Sequence, residues 1–92
     1  MKRMTGDERR VLVDNLLLAL DRGEITLGKM LKQLRLQLTE MNQDEFAALV
    51  GVSRRTLSEI ERDLANPSMD TVNRVYRPFA LKLTLVPRRH PE

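Results

Sequence analysis

Residues 42–62 read NQDEFAALVGVSRRTLSEIER, and this stretch decides the fold. Its first half carries Phe46, Ala47 and Val50 at helical spacing, and Ala47 is small enough to let a second helix come close. Gly51 follows directly, where a backbone with positive φ is easy to adopt, and Val52 then points inward. Ser53 is a good N-cap for a second helix, which buries Leu57 and Ile60 three residues apart. The other face of that helix carries Ser53, Arg54, Arg55, Thr56, Ser58, Glu59 and Arg62, all able to form hydrogen bonds.

Two short helices packed through small residues, the second displaying a polar face, predict a helix-turn-helix that reads DNA. The segment also resembles the Cro/CI-type (xenobiotic-response-element, XRE) helix-turn-helix family. The residues that carry the resemblance are Gln43, Phe46-Ala47, Gly51-Val52-Ser53, Leu57-Ser58, Glu61 and Pro67-Ser68, at the family's separations. It runs from about Leu27 to about Ala80. One departure stands out: after Glu61 the family has Asn or Arg followed by Gly, whereas here Arg62-Asp63 precedes Leu64.

Working outward, residues 7–21 predict an additional helix. Leu12, Leu16 and Ala19, flanked by Val13, Leu17 and Leu20, form a wide apolar stripe, with Asp7-Glu8 suited to its N-terminus and Arg22-Gly23 to its end. A helix from about Leu27 to Gln37 places Leu27, Met30, Leu31, Leu34 and Leu38 on one face and Lys29, Lys32 and Arg35 on the other. Asn42 opens the third helix, with capping-box character supplied by Glu45. The recognition helix spans Arg54 to Arg62. After the loop Leu64–Pro67, Ser68 caps a last helix with Met69, Val72, Val75 and Tyr76 inward, and Pro78 ends or kinks it. The fold expected is all-α: a five-helix, lambda-repressor-like domain.

Leu81-Lys82-Leu83-Thr84-Leu85-Val86 differs in kind, because it alternates apolar and polar residues with the period of a strand. No other segment reads as its partner, so the simplest partner is the same strand of a second copy, antiparallel across a two-fold axis. The alternative is an extended tail folded against its own helices. Pro87 stops any pairing from continuing. The expected layout is an N-terminal helical extension over residues 1–24, whose apolar stripe makes it integral to the fold. The helix-turn-helix domain follows over residues 25–80, then a dimerisation strand (Leu81, Leu83, Leu85) and basic tail over residues 81–92.

Ninety-two residues allow one domain with a modest core, and a chain this short often gains stability by dimerising. There is no cysteine, so disulfides and thiolate metal sites are excluded, and the single His90 stands in the tail. No metal or cofactor is implied. The longest apolar run, Leu16 to Leu20, is too short to span a bilayer, and no signal peptide is legible; a cytoplasmic location is expected. Charges balance over residues 1–63, and the net +3 resides in residues 64–92, where Arg74, Arg77, Lys82, Arg88 and Arg89 face only Asp70 and Glu92. Such an excess favours phosphates but is common among proteins that bind no nucleic acid. An enzyme is not expected: Ser53 and Ser58 have no histidine or lysine at obvious partner positions, and the four glycines are scattered singly.

Base contacts are expected from Ser53, Arg54, Arg55, Thr56 and Ser58. Arginine can donate two parallel bonds to guanine N7 and O6, and the Thr56 methyl can meet a thymine methyl. The resemblance implies phosphate contacts from Gln43, which also braces the recognition helix, and from Arg62, Asn66 and Ser68; Asn42 and the helix N-terminus can assist. Asn66 reads equally as a turn-former ahead of Pro67. Glu61 matches a family position that is structural, often paired to a basic residue inside the domain, and Glu59 reads as a solvated helix charge that could also accept from cytosine N4. A compact domain followed at once by an alternating strand, carried by Phe79–Leu85, resembles the HipB-type antitoxins. That resemblance implies a repressor dimer on an inverted-repeat operator in double-stranded DNA, holding a HipA-like kinase toxin. The alternatives are a protein-interaction adaptor with the same fold and a free-standing regulator without a toxin.

Overall fold

The computed structural model describes residues 4–88, and the first three residues and Arg89 to Glu92, including His90 of the basic tail, lie outside the described residues. Five α-helices follow in order: α1 Gly6–Asp21, α2 Leu27–Leu34, α3 Gln43–Val50, α4 Arg54–Glu61 and α5 Met69–Tyr76. Each starts at a short polar side chain that accepts a backbone N–H of the first turn: Thr5, Thr26, Asn42, Ser53 and Ser68. The capping box at Asn42–Glu45 is complete in both directions. A second box, Thr5–Glu8, starts α1 one residue before the acidic pair Asp7-Glu8.

The core is what the helical spacing demands. Met30, Leu31 and Leu34 of α2, Phe46, Ala47 and Val50 of α3, Leu57 and Ile60 of α4, and Val72, Val75 and Tyr76 of α5 are all buried. Helix α1 contributes no fully buried residue, but Val13, Leu16 and Leu20 pack against this core. Met69 was expected inward with Val72 and Tyr76 and instead is 63% exposed. It is the first residue of α5, and its side chain lies beyond the edge of the core that the later turns cover.

Helix α2 ends in a widened π turn, Arg35–Thr39, where Arg35 O accepts from Glu40 N five residues on, and Glu40 takes φ 59°. Gly51 adopts φ 77° and closes α3, its N–H and that of Val52 both bonding Ala47 O. After α5, a 3₁₀ turn at Arg77–Phe79 brings Phe79 into a stacked contact with Phe46, the ring centroids 5.8 Å apart. Pro78 lies within that turn, consistent with its ending α5.

Among the described residues there is no β-strand. Residues 81–88 run without regular structure in the single chain. Leu83 N donates to Asn73 Oδ1 of α5 at 2.6 Å, and Leu81 packs on the core. Beyond that anchor Leu85 is 93% exposed and Val86 is also exposed.

Candidate nucleic-acid interface

Helix α4 is fixed from behind. Glu61, on its last turn, is buried and receives Arg35 of α2 through two parallel bonds, Nε to Oε2 at 2.7 Å and Nη2 to Oε1 at 2.9 Å. Arg35 Nη1 donates to Met41 O at 2.8 Å, and Gln43 Nε2 adds a bond to Glu61 Oε1 at 3.0 Å. One carboxylate thus joins α2, the start of α3 and the end of α4. Both side chains are at most 5% exposed, and no buried side-chain polar atom among the described residues lacks a partner. The network is therefore satisfied, the condition under which a buried charge pair can be tolerated. The sequence places Arg35 on the exposed face of α2 with Lys29 and Lys32, but the structure buries it. Its spacing from Leu31, Leu34 and Leu38 puts it on the apolar stripe.

The departure from the family pattern resolves into a second fastening. Asp63 takes φ 58° where the family has glycine, a conformation that Asp tolerates better than most residues. Its carboxylate caps the start of α2, accepting from Thr26 Oγ1 at 2.7 Å and from Gly28 N at 3.1 Å. Here α2 and the end of α4 almost touch: a Cβ on Gly28 would lie 2.1 Å from Ile60 O. Tyr76 Oη donates to Leu27 O at 2.6 Å in the same region. Burial, reinforced by the charges of Asp63 and Glu61, pushes the Tyr76 phenol well above its ordinary range. Sequence reasoning missed Gly28 and Asp63, whose roles depend on one another across more than thirty residues, and Thr26, whose cap on Lys29 N is a local signal.

The outward face of α4 gathers Arg54, Arg55, Ser58, Glu59 and Arg62 around one shallow concavity. Arg54 and Arg55 are exposed, while Leu57 and Ile60 point away into the core. Each arginine has a carboxylate beside it: Arg54 Nε lies 3.5 Å from Asp44 Oδ1 of α3, and Arg55 Nε lies 3.1 Å from Glu59 Oε2 one turn on. Both pairs are solvated and so cost little to rearrange.

The other expected contacts fall at element ends. Ser53 Oγ caps α4 by accepting Thr56 N at 3.0 Å and is 2.9 Å from Thr56 Oγ1. Ser68 Oγ does the same for α5 with Thr71. Both hydroxyls are thus engaged within their own helices. Asn42 uses its side-chain carbonyl in the α3 cap, which leaves its amide group as the donor a phosphate would meet. Asn66 is exposed in the α4–α5 loop, and Arg62 is exposed at the C-terminal end of α4. Leu81 and Leu83 line an apolar concavity with Leu17, Leu20, Met30 and Tyr76, away from the α4 concavity.

Among the described residues no helix is long and apolar enough to cross a membrane. A family model described as helix-turn-helix matches residues 31–84, more than half of the chain. No curated protein and no solved structure gave a significant match. The chain belongs to the helix-turn-helix family, of the Cro/CI type, and is a DNA-binding regulator.

Proposed function

We propose that this helix-turn-helix protein is a sequence-specific transcriptional repressor that binds an inverted repeat as a homodimer, with α4 in the major groove. The observation that carries the reading is the contrast across α4. Its inner face is locked by Arg35–Glu61, and its outer face offers Arg54, Arg55, Ser58 and Arg62 to solvent in one concavity. A rigidly held helix with exposed arginine forks suits recognition of guanine N7 and O6. Arg62, the Asn42 amide and Asn66 would meet phosphates around it, with Gln43 bracing the helix through Glu61.

The dimer reading rests on the tail. Leu81, Leu83 and Leu85 alternate with polar residues, and Leu85 and Val86 are left almost uncovered in the single chain. Antiparallel pairing of two tails would supply backbone partners and cover these side chains, and a two-fold axis would place the two α4 helices in successive major grooves about 34 Å apart. The same layout, a compact domain followed at once by an alternating segment, supports the HipB-type antitoxin role, in which the dimer represses its own operator and sequesters a HipA-like kinase toxin. A kinase-like gene in the same operon supports that role; its absence leaves a free-standing regulator.

The test is binding to the DNA upstream of the protein's own gene, read by footprinting, salt titration and molar mass in solution. A dimer protecting an inverted repeat, with affinity falling steeply as salt rises, is the expected result. A monomer that protects nothing overturns both dimer and operator and leaves a protein-interaction adaptor. Leu85→Asp should yield monomers with poor operator affinity, whereas monodisperse Leu85→Asp dimers would refute pairing through the tail.

A further inference from the structure

The recognition surface is not uniformly basic. Asp44 and Glu59 each stand against one of the two arginines at the start of α4, and in both cases the carboxylate contacts Nε. An arginine with a carboxylate near Nε still presents Nη1 and Nη2, the end-on pair of donors that can bridge guanine N7 and O6. We infer that Asp44 and Glu59 are specificity-determining residues: they oppose the use of Arg54 and Arg55 on phosphates alone while leaving the outer donors of both arginines free for guanine. This rests on the DNA-reading role proposed above and adds to it which side chains set the ratio of specific to non-specific binding.

The physical reasoning concerns what each kind of DNA offers. On a duplex without guanine at the matching positions the arginines are left mainly with phosphates, and a carboxylate within 4 Å of each guanidinium is then well inside the screening length of about 10 Å at 0.1 M salt. Its repulsion of the phosphate offsets much of the arginine's attraction, so non-specific affinity stays low. On a site with guanine correctly placed, the fork bonds directly to the base while the carboxylate keeps its Nε contact. The carboxylates thus act against the wrong target more than against the right one. The two acids come from different elements, Asp44 from the first turn of α3 and Glu59 from α4 itself, so each can be removed separately.

The experiment uses full-length Asp44→Asn and Glu59→Gln proteins. Asp14→Asn, which removes the same charge at an exposed position on α1, is the control. Binding is measured to two duplexes of equal length: one carrying the site that the wild-type protein selects from a randomised pool, and a scrambled version of it. Asp44→Asn and Glu59→Gln should each raise scrambled-duplex affinity about threefold or more at 0.1 M salt while changing selected-site affinity by less than about twofold. The specificity ratio then falls, and Asp14→Asn leaves it unchanged. Equal gains on both duplexes, or variants indistinguishable from Asp14→Asn, would overturn the inference while leaving DNA reading intact. Wild-type protein that selects no duplex from the pool would overturn both.

Discussion

The molecule holds the same chemical pair, arginine with a carboxylate, in two settings on opposite sides of one helix. Behind α4, Arg35 and Glu61 are out of water, doubly bonded and joined by Gln43. In front, Arg54–Asp44 and Arg55–Glu59 are single contacts in solvent. Desolvated charges are tolerable only when every donor and acceptor is matched, which fixes geometry; solvated charges stay exchangeable, which keeps them available to a ligand. The rear pair positions α4, and the front pairs belong to the surface proposed to read DNA.

Substitutions on the two sides should therefore fail in different ways. The largest effect is expected from Glu61→Ala, which strands Arg35 in the interior and should cost about 3–5 kcal/mol of stability in urea unfolding. An Arg35→Met, Glu61→Leu double variant should recover much of that, since no unpaired charge is left; a double variant as unstable as the single would break the comparison. Gly28→Ala acts on the same side of α4 by forcing α2 away from Ile60 O, a clash with backbone that side-chain rotation cannot relieve. It should cost about 3 kcal/mol, the upper end of ordinary overpacking, with a matching drop in melting temperature.

In front, Arg54→Ala and Arg55→Ala should leave unfolding unchanged within about 0.5 kcal/mol. Each should lose about 1–3 kcal/mol of binding to a selected site and little to a scrambled one. Equal losses on both would reassign these arginines to phosphates. The smallest effect concerns alkali. The folded chain keeps Tyr76 protonated where the unfolded chain ionises it, so this contribution is complete below about pH 10 and is lost as pH rises beyond it. Tyr76→Phe should remove that part of the alkaline slope and cost about 1 kcal/mol at neutral pH for the lost bond to Leu27 O. Identical slopes for the two proteins would contradict it.

What was legible in the sequence follows from how local each signal is. The caps at Asn42, Ser53 and Ser68 and the turn at Gly51 act over three or four residues, so they could be read where they stand. The buried apolar residues of α3, α4 and α5 follow from helical spacing, whereas Met69, at the start of α5, has that spacing and is exposed. Arg35 was misplaced because its burial depends on a carboxylate 26 residues away, and residue type outweighed a spacing that pointed inward. Asp63 stood out only as a departure from a pattern. Its work, capping α2 beside a glycine that admits α4, appears once those segments are brought together. In the tail the strand period of Leu81, Leu83 and Leu85 yields no strand in the single chain, because a lone alternating segment has no partner for its backbone groups.

Whether the front of α4 meets base edges is decided most directly by protection of guanine N7 from dimethyl sulfate in complexes with a selected duplex. Wild-type protein should protect guanines in the major groove, and Arg54→Ala and Arg55→Ala should each expose a different one while the rest stay protected. Bound protein that leaves every guanine N7 reactive would contradict base reading by these arginines.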